Sequence, residues 1–163
     1  MSGIQGVLNA YNKTLMQILF SGPTLFAPCL EAFKKHCERE YGQPSYNVLL
    51  ILTDGEIHDM PQTKALLVDL SHFACSVIIV GVGDEDFSNM RLLDSDHSAK
   101  LSDDLGRPCV RDIVQFVEFK KAVQAGCLSE EVLREVPKQF MSFVQMHNIP
   151  VNYSAQDMSK YQV

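Results

Sequence analysis

The feature that most constrains the fold is an apolar run from Tyr46 to Thr53 that ends in Asp54-Gly55. The run is continuous rather than alternating, which is typical of a strand covered on both faces in a parallel sheet. A second continuous run extends from Ser76 to Gly83, and a helical pattern lies between the two. Strand, helix and strand in this order form a βαβ unit. The sequence therefore predicts an α/β fold with a mainly parallel sheet flanked by helices.

Amphipathic helices are predicted before this unit. An apolar stripe from Ile4 to Leu19 predicts a first helix, which Ser21-Gly22-Pro23 ends. A second helix is predicted from about Thr24, with Pro28 tolerated in its first turn. Its inner face consists of Leu30, Phe33 and Cys37.

The chain between the two strands and after them gives further predictions. Asp59 is predicted to cap the helix that follows the first strand. Residues 94–108 are predicted as a loop with a small hairpin, and 113–119 as a strand nearer a sheet edge. Ser129 is predicted to cap a last helix, which Pro137 kinks or restarts. The predicted buried stripe of that helix is Leu133, Val136, Phe140, Phe143 and Val144.

Length and composition bound the class of protein. A chain of 163 residues with 46% hydrophobic residues suits one globular domain, predicted over 1–150, with a polar tail over 151–163. Five cysteines without a CxxC pair predict free thiols. No signal peptide or membrane span is visible, so a cytoplasmic location is expected. The net charge of −6 argues against generic nucleic-acid binding.

Acidic residues follow both predicted strands. In open α/β sheets, ligands bind outside the carboxyl ends of the strands, where Thr53-Asp54-Gly55-Glu56 and Gly83-Asp84-Glu85-Asp86 meet. Oxygen ligands gathered there suit a hard divalent cation. Asp84 and Asp86 are predicted to cap a turn or helix only. Asp54 is as well suited to a ligand role as to capping, because Asp59 is the better helix cap.

The residues around Asp54 carry a resemblance to a known family. Leu49 to Gly55, followed by Asp59-Met60, resembles the von Willebrand factor A-type domain, and more closely the A domain of copines. The resemblance extends over about residues 4–150. Its other motifs are Ser21 to Pro28, Val77 to Gly83 with Asp86-Phe87 and Met90, and Arg111 to Val117. It implies a three-layer, Rossmann-like fold.

The resemblance also implies a metal-ion-dependent adhesion site for Mg²⁺, Mn²⁺ or Ca²⁺. Thr24 maps onto the family's hydroxyl ligand and Asp54 onto its carboxylate ligand, and both are hard oxygen donors. Gly22, Pro23, Gly55 and Glu56 then become partner-binding positions. The implied function is a non-enzymatic module that recruits target proteins, whose acidic group completes the metal shell. The family implies calcium-dependent phospholipid binding, membrane trafficking and signalling, with membrane contact only through C2 domains that this sequence lacks.

One family motif has no counterpart at its expected place. The first loop, D-x-S-x-S at the end of a central strand, does not occur before Thr24, and Asp94 to Ser98 lies too far downstream to replace it. The N-terminal strands are therefore expected to be missing, which leaves the metal site incomplete and its affinity weak or absent. The strand at 46–53 would then have an open edge, which predicts self-association.

An enzyme is the alternative function. Asp54, Glu56 and His58 lie close together and could form a metal-dependent hydrolase centre. The chain contains no GxSxG motif, no cysteine in a recognisable catalytic setting, and no glycine-rich phosphate loop after a strand. His58 is predicted to be a turn residue that faces solvent.

Overall fold

The computed structural model describes residues 2–19, 21–94 and 100–149. The predicted tail at 151–163 and most of the Asp94 to Ser98 segment lie outside the described residues. In chain order the elements are α1 (Gly3–Leu15), α2 (Ala27–Arg39), β1 (Asn47–Thr53), α3 (Met60–Leu70), β2 (Cys75–Gly81), α4 (Ser88–Leu93), β3 (Val114–Glu118), α5 (Phe119–Gln124), α6 (Leu128–Leu133) and α7 (Val136–Met146).

The described strands form one parallel sheet in the order β1-β2-β3. Strand β1 pairs with β2 in a register that runs from Asn47 opposite Cys75 to Thr53 opposite Gly81. Every residue of β2 is buried, as expected for a central parallel strand. The sheet confirms the predicted α/β fold, and β3 lies at an edge as its mixed composition predicted. The predicted hairpin is present as an antiparallel bridge between Ser102 and Pro108.

The main core lies between one face of the sheet and the first helices of the unit. Its buried side chains come from α2 (Leu30, Cys37), α3 (Leu67, Leu70) and β2 (Val77, Ile79). Leu49 and Ile51 of β1 and Phe33 of α2 pack against this cluster. The predicted inner face of α2 is therefore confirmed.

The opposite face of β1 corrects the sequence prediction. Burial alternates along β1, and Val48, Leu50 and Leu52 are 46%, 54% and 67% exposed. We call these three side chains the open face. Tyr46, on the same side of the strand, is covered by Phe140 and Phe143 of α7. No element among the described residues covers the open face, so the prediction of burial on both faces is wrong for β1.

Helix α1 begins where its stripe predicted but ends at Leu15, before the predicted break at Ser21-Gly22-Pro23, and it buries no residue. Its apolar side chains remain at the surface, with Ile4 76%, Val7 53%, Leu8 48% and Tyr11 62% exposed. We call these four side chains the α1 stripe. The amphipathic pattern therefore specifies a helix here without showing what the helix packs against.

The C-terminal helices differ in detail from the prediction. Cys127, not Ser129, is the residue at the N-cap of α6. Pro137 restarts the chain as α7 rather than kinking one long helix. Within the predicted stripe only Val144 is fully buried, whereas Leu133 and Phe140 are exposed. Helix α5, which begins at Phe119, was not predicted.

Two further features complete the fold. Arg111 of the Arg111 to Val117 motif is buried, and its guanidinium donates hydrogen bonds to the carbonyls of Phe73, Cys75 and Gln139. This arginine therefore joins α7 to the start of β2. All five cysteines lie in the described part of the chain and are free, as predicted. No helix among the described residues is long and apolar enough to cross a membrane.

Candidate functional site

The predicted metal ligands lie on two loops that the structure ties together. One loop, residues 21–26, precedes α2, and the other, residues 54–59, follows β1. The Thr24 amide donates a hydrogen bond to Nδ1 of His58 (3.1 Å), and the His58 amide donates one to the Thr24 carbonyl (2.9 Å). We call this arrangement the paired loops. It fastens Thr24 to the segment that contains Asp54.

A second connection between the paired loops involves Asp59. Its buried carboxylate accepts hydrogen bonds from the amides of Phe26 (3.0 Å) and Ala27 (2.8 Å), and from the Thr63 hydroxyl (3.3 Å). Asp59 occupies the N-cap position of α3, as predicted, but its side chain satisfies the N-terminal amides of α2 instead. The prediction that it caps α3 is therefore wrong for the side chain. The unpaired amides that a helix leaves at its start were the available signal.

The side chains of Thr24 and Asp54 keep their oxygen atoms available. Thr24 is half-buried and Asp54 is exposed. Asp54 accepts one long hydrogen bond, from the Glu56 amide to Oδ1 (3.4 Å). Within the described residues, the Thr24 hydroxyl has no hydrogen-bond partner and the Asp54 carboxylate has no other one. The hydroxyl and carboxylate oxygens therefore remain available to a ligand.

The residues present suit a divalent cation in kind but not in number. Mg²⁺ prefers six oxygen ligands in octahedral geometry, and hydroxyl and carboxylate oxygens are suitable donors. No group of three or more His, Cys, Asp or Glu side chains that could hold a metal occurs in the part of the chain that the structure describes. Thr24 and Asp54 supply two donors, so water or a partner would have to supply the rest. Two donors are fewer than the six oxygen ligands of an octahedral Mg²⁺ site.

The second acidic strand end is occupied by local interactions. Asp86 Oδ1 accepts hydrogen bonds from the hydroxyl (2.6 Å) and amide (2.9 Å) of Ser88. These two bonds lower the pKa of Asp86 below its usual value. This confirms the predicted capping role of Asp86. Asp84 instead pairs with Lys120 (2.5 Å). Neither carboxylate contacts the paired loops in the contacts that the structure shows.

The predicted partner-binding positions divide into surface and buried residues. Gly22, Pro23 and Glu56 are exposed. Gly55 is buried and has a φ of +104°, which favours glycine. A Cβ atom added to Gly55 would lie 2.8 Å from the Phe87 ring. Close packing of Phe87 therefore explains this glycine without reference to a partner.

His58 has a role that the sequence did not reveal. Its Nδ1 accepts the Thr24 amide hydrogen bond, so the ring carries its proton on Nε2, which faces Glu56 Oε1 at 3.5 Å. The side chain is 43% exposed, in agreement with the predicted solvent-facing turn. Because its only acceptor nitrogen is already in use, this histidine is poorly placed to act as a general base.

Comparison with known proteins identifies a matching family and several similar proteins. The copine family model matches residues 1–152. The chain is 45% identical to Copine-C of Dictyostelium discoideum over 153 residues, which are 92% of this chain and 28% of that protein. It is 42% identical to Protein BONZAI 2 and 41% identical to Protein BONZAI 1 of Arabidopsis thaliana, each over 90% of this chain and 26% of the relative. The chain therefore spans about a quarter of the length of these curated relatives.

Proposed function

Because the chain belongs to the copine family, we propose that it is a non-enzymatic module that recruits target proteins through the paired loops. The observation that carries this proposal is the reciprocal hydrogen bonding of Thr24 and His58. It sets the Thr24 loop beside the segment that bears Asp54. Two hard oxygen donors with free coordination capacity on adjacent loops suit a cation shared with a partner.

In this proposal Thr24 and Asp54 hold Mg²⁺, or Mn²⁺ or Ca²⁺, together with water. The ion supplies positive charge, which attracts an acidic group of the target protein. Gly22, Pro23 and Glu56 border the loops at the surface and contact the target. Gly55 contributes through its backbone, since its α-carbon packs against Phe87.

The hydrolase alternative on Asp54, Glu56 and His58 is less well supported. A general base needs a free lone pair, and the acceptor nitrogen of His58 is bound to the Thr24 amide. The His58 and Glu56 side chains are both solvent-exposed rather than enclosed in a pocket. A binding surface agrees better with this geometry than a water-excluding active site does.

The wider setting is also a proposal. Relatives about four times as long contain regions beyond the matched segment. We propose that the module acts in the cytoplasm within such a protein, with calcium-dependent phospholipid contact supplied by C2 domains, and contributes to membrane trafficking and signalling. The net charge of −6 is consistent with protein rather than nucleic-acid targets. The open outer edge of β1, near residues 46–53, is proposed to allow self-association.

Calorimetric titration of the chain with Mg²⁺ and Mn²⁺ tests the metal site. With two protein donors we expect dissociation constants on the order of 0.1–1 mM or weaker. Thr24→Val removes the hydroxyl at constant shape, and Asp54→Asn removes the charge, so each should abolish the remaining heat. Asp84→Asn is the matched control and should leave it unchanged, because Asp84 pairs with Lys120 away from the paired loops. Sub-micromolar affinity, or loss of binding in the control alone, would contradict the proposed site.

A further inference from the structure

Two apolar surfaces of the chain have no partner within the described residues. One is the open face of β1 (Val48, Leu50, Leu52) and the other is the α1 stripe (Ile4, Val7, Leu8, Tyr11). Single exposed apolar residues are ordinary, whereas contiguous sets on one face mark an interaction site. The two sets lie on different elements, β1 and α1, so either one interaction covers both sets or each set has its own partner.

One surface is a sheet face and the other is a helix face, and these two kinds of surface pack together in layered folds. A sheet with an apolar face is normally covered by a layer of helices, and an amphipathic helix needs an apolar surface to pack on. Two further exposed apolar side chains lie beside the open face. Val82, just after the end of β2, is 44% exposed and its amide donates a hydrogen bond to the Thr53 carbonyl (2.8 Å), and Phe140 contacts Tyr46 (5.2 Å between ring centroids).

We propose that the open face is the docking site for the α1 stripe of a second copy of this chain, and that two copies exchange α1 helices reciprocally. Residues 21–26 belong to the paired loops, so the reach of α1 depends on residues 16–20, a length that can span roughly 17 Å when extended. Exchange of an identical element between two copies is a recognised route to dimers. The proposal differs from pairing at the β1 edge, because the helix rather than the strand edge makes the contact.

The area available agrees with reciprocal exchange. An apolar side chain carries on the order of 100 Å² of apolar surface. The three side chains of the open face, the four of the α1 stripe, Val82 and Phe140 are about half exposed. Each copy therefore offers roughly 450 Å² of apolar surface, which at an apolar share of about 60% corresponds to roughly 750 Å² of interface. A standard interface buries about 800 Å² per partner. The open face alone would supply only about a third of the apolar part.

Analytical ultracentrifugation of the 163-residue chain over about 1–100 µM tests the proposal. We expect a reversible monomer–dimer equilibrium. Val7→Glu on α1 and Leu50→Glu on β1 each place a charge in the contact, so each should weaken the dimer at least tenfold. The control variants are Lys13→Glu, on α1 but outside the stripe, and Leu105→Glu, an 84% exposed leucine in the hairpin. Both should dimerise like the parent chain.

Mixing the two disruptive variants gives the sharper test. The Leu50→Glu chain keeps an intact α1 stripe and the Val7→Glu chain keeps an intact open face, so the mixture should form a heterodimer that neither variant forms alone. If Val7→Glu dimerises like the parent chain, pairing occurs at the strand edge and the exchange is wrong. A monomer at all concentrations would also overturn it. Far-ultraviolet circular dichroism checks folding, with Leu52→Lys as the replacement if Leu50→Glu is unfolded.

The proposal is independent of the metal site. Neither the α1 stripe nor the open face includes Thr24 or Asp54, so the dimer should be the same with EDTA and with added Mg²⁺. A titration that shows no metal binding would therefore not contradict the proposed exchange of α1 helices. Absence of the heterodimer in the mixing experiment would not contradict the proposed metal site.

Discussion

Asp59 shows how one side chain can hold a site together without touching its ligand. It is buried, and its carboxylate accepts two amides at the start of α2. Asp59→Ala should leave these donors unpaired and lower the free energy of unfolding by about 1–3 kcal/mol. Asp59→Asn keeps one acceptor oxygen and should cost less. Urea denaturation measures both, with exposed Asp54→Asn as the control that should change little. An unchanged midpoint for Asp59→Ala would contradict this role.

Phe87 makes a second prediction at the scale of single residues. Its ring would lie 2.6 Å from a Cβ atom on Gly81 and 2.8 Å from one on Gly55. Gly81→Ala and Gly55→Ala should therefore both destabilise the protein, by about 1–3 kcal/mol through overpacking. Adding Phe87→Leu should recover much of the loss at Gly81. It should recover less at Gly55, where the φ of +104° strains any L-residue. A double-mutant cycle in urea measures this difference, and equal recovery at both positions would refute the explanation.

The sequence could identify the candidate ligands but not what positions them. Thr24 and Asp54 belong to short local motifs that are recognisable without a structure. The bonds made by His58 and Asp59 join residues 32 to 34 positions apart in the chain. Such contacts depend on how α2 packs beside α3 and leave no periodic pattern. This is why His58 could be predicted only as a turn residue, and why the bonds from Asp59 to the amides of Phe26 and Ala27 could not be predicted from its position at the N-cap of α3.

At the scale of elements, the apolar pattern predicted which strands form better than it predicted how far each strand is buried. The strands at 46–53 and 76–83 were both recognised from continuous apolar runs, and both form. Of these two strands, only β2 is buried on both faces: Val77 and Ile79 lie in the main core, and Ile78 and Val80 on the opposite face are 3% and 4% exposed. The run in β1 is equally apolar, yet Val48, Leu50 and Leu52 remain exposed. The sequence pattern shows which side chains of a segment are apolar enough to be buried. Their burial also requires a neighbouring element that packs against them.

The carboxyl end of β3 provides a pH-dependent link between elements. Glu118 pairs with Arg91 of α4 and with Lys121 of α5 (2.7 Å). Partial burial acts to raise the pKa of Glu118, but the ion pairs with Lys121 and Arg91 prevail and lower it below the ordinary 4.5. Because the folded pKa is the lower one, this contribution to stability is full above pH 4.5. It is lost as the pH falls through the folded pKa.

Glu118→Gln should therefore flatten the loss of stability on acidification below pH 4.5. Urea midpoints between about pH 3 and pH 7 measure this, and the variant and parent curves should converge at the acid end. Glu130→Gln is the matched control, a glutamate on α6 for which the parent slope should be retained. Parallel curves for Glu118→Gln and the parent would show that these ion pairs contribute nothing.

At the scale of the whole molecule, stability is concentrated in the part that follows α1. The main core draws on α2, α3, β2 and the chain around β3, while α1 contributes no buried residue. The chain also corresponds to about a quarter of its curated relatives. Family membership and the parallel sheet could both be predicted from sequence, because they rest on motifs spread along the chain. The open face and the unpartnered α1 could not, because they concern what lies next to the apolar side chains.

Removal of α1 tests this distribution of stability directly. At protein concentrations low enough for monomers, deleting residues 2–15 should change the free energy of unfolding by less than about 1 kcal/mol, since it removes no buried contact. The denaturant m-value should also be nearly unchanged, because it scales with the surface buried on folding. Ending the chain before Glu135 is the contrasting variant. It removes buried Gln139 and Val144 and should unfold the protein. A loss of several kcal/mol on deletion of α1 would mean that the helix packs on its own sheet in solution, which would contradict both this prediction and the proposed exchange.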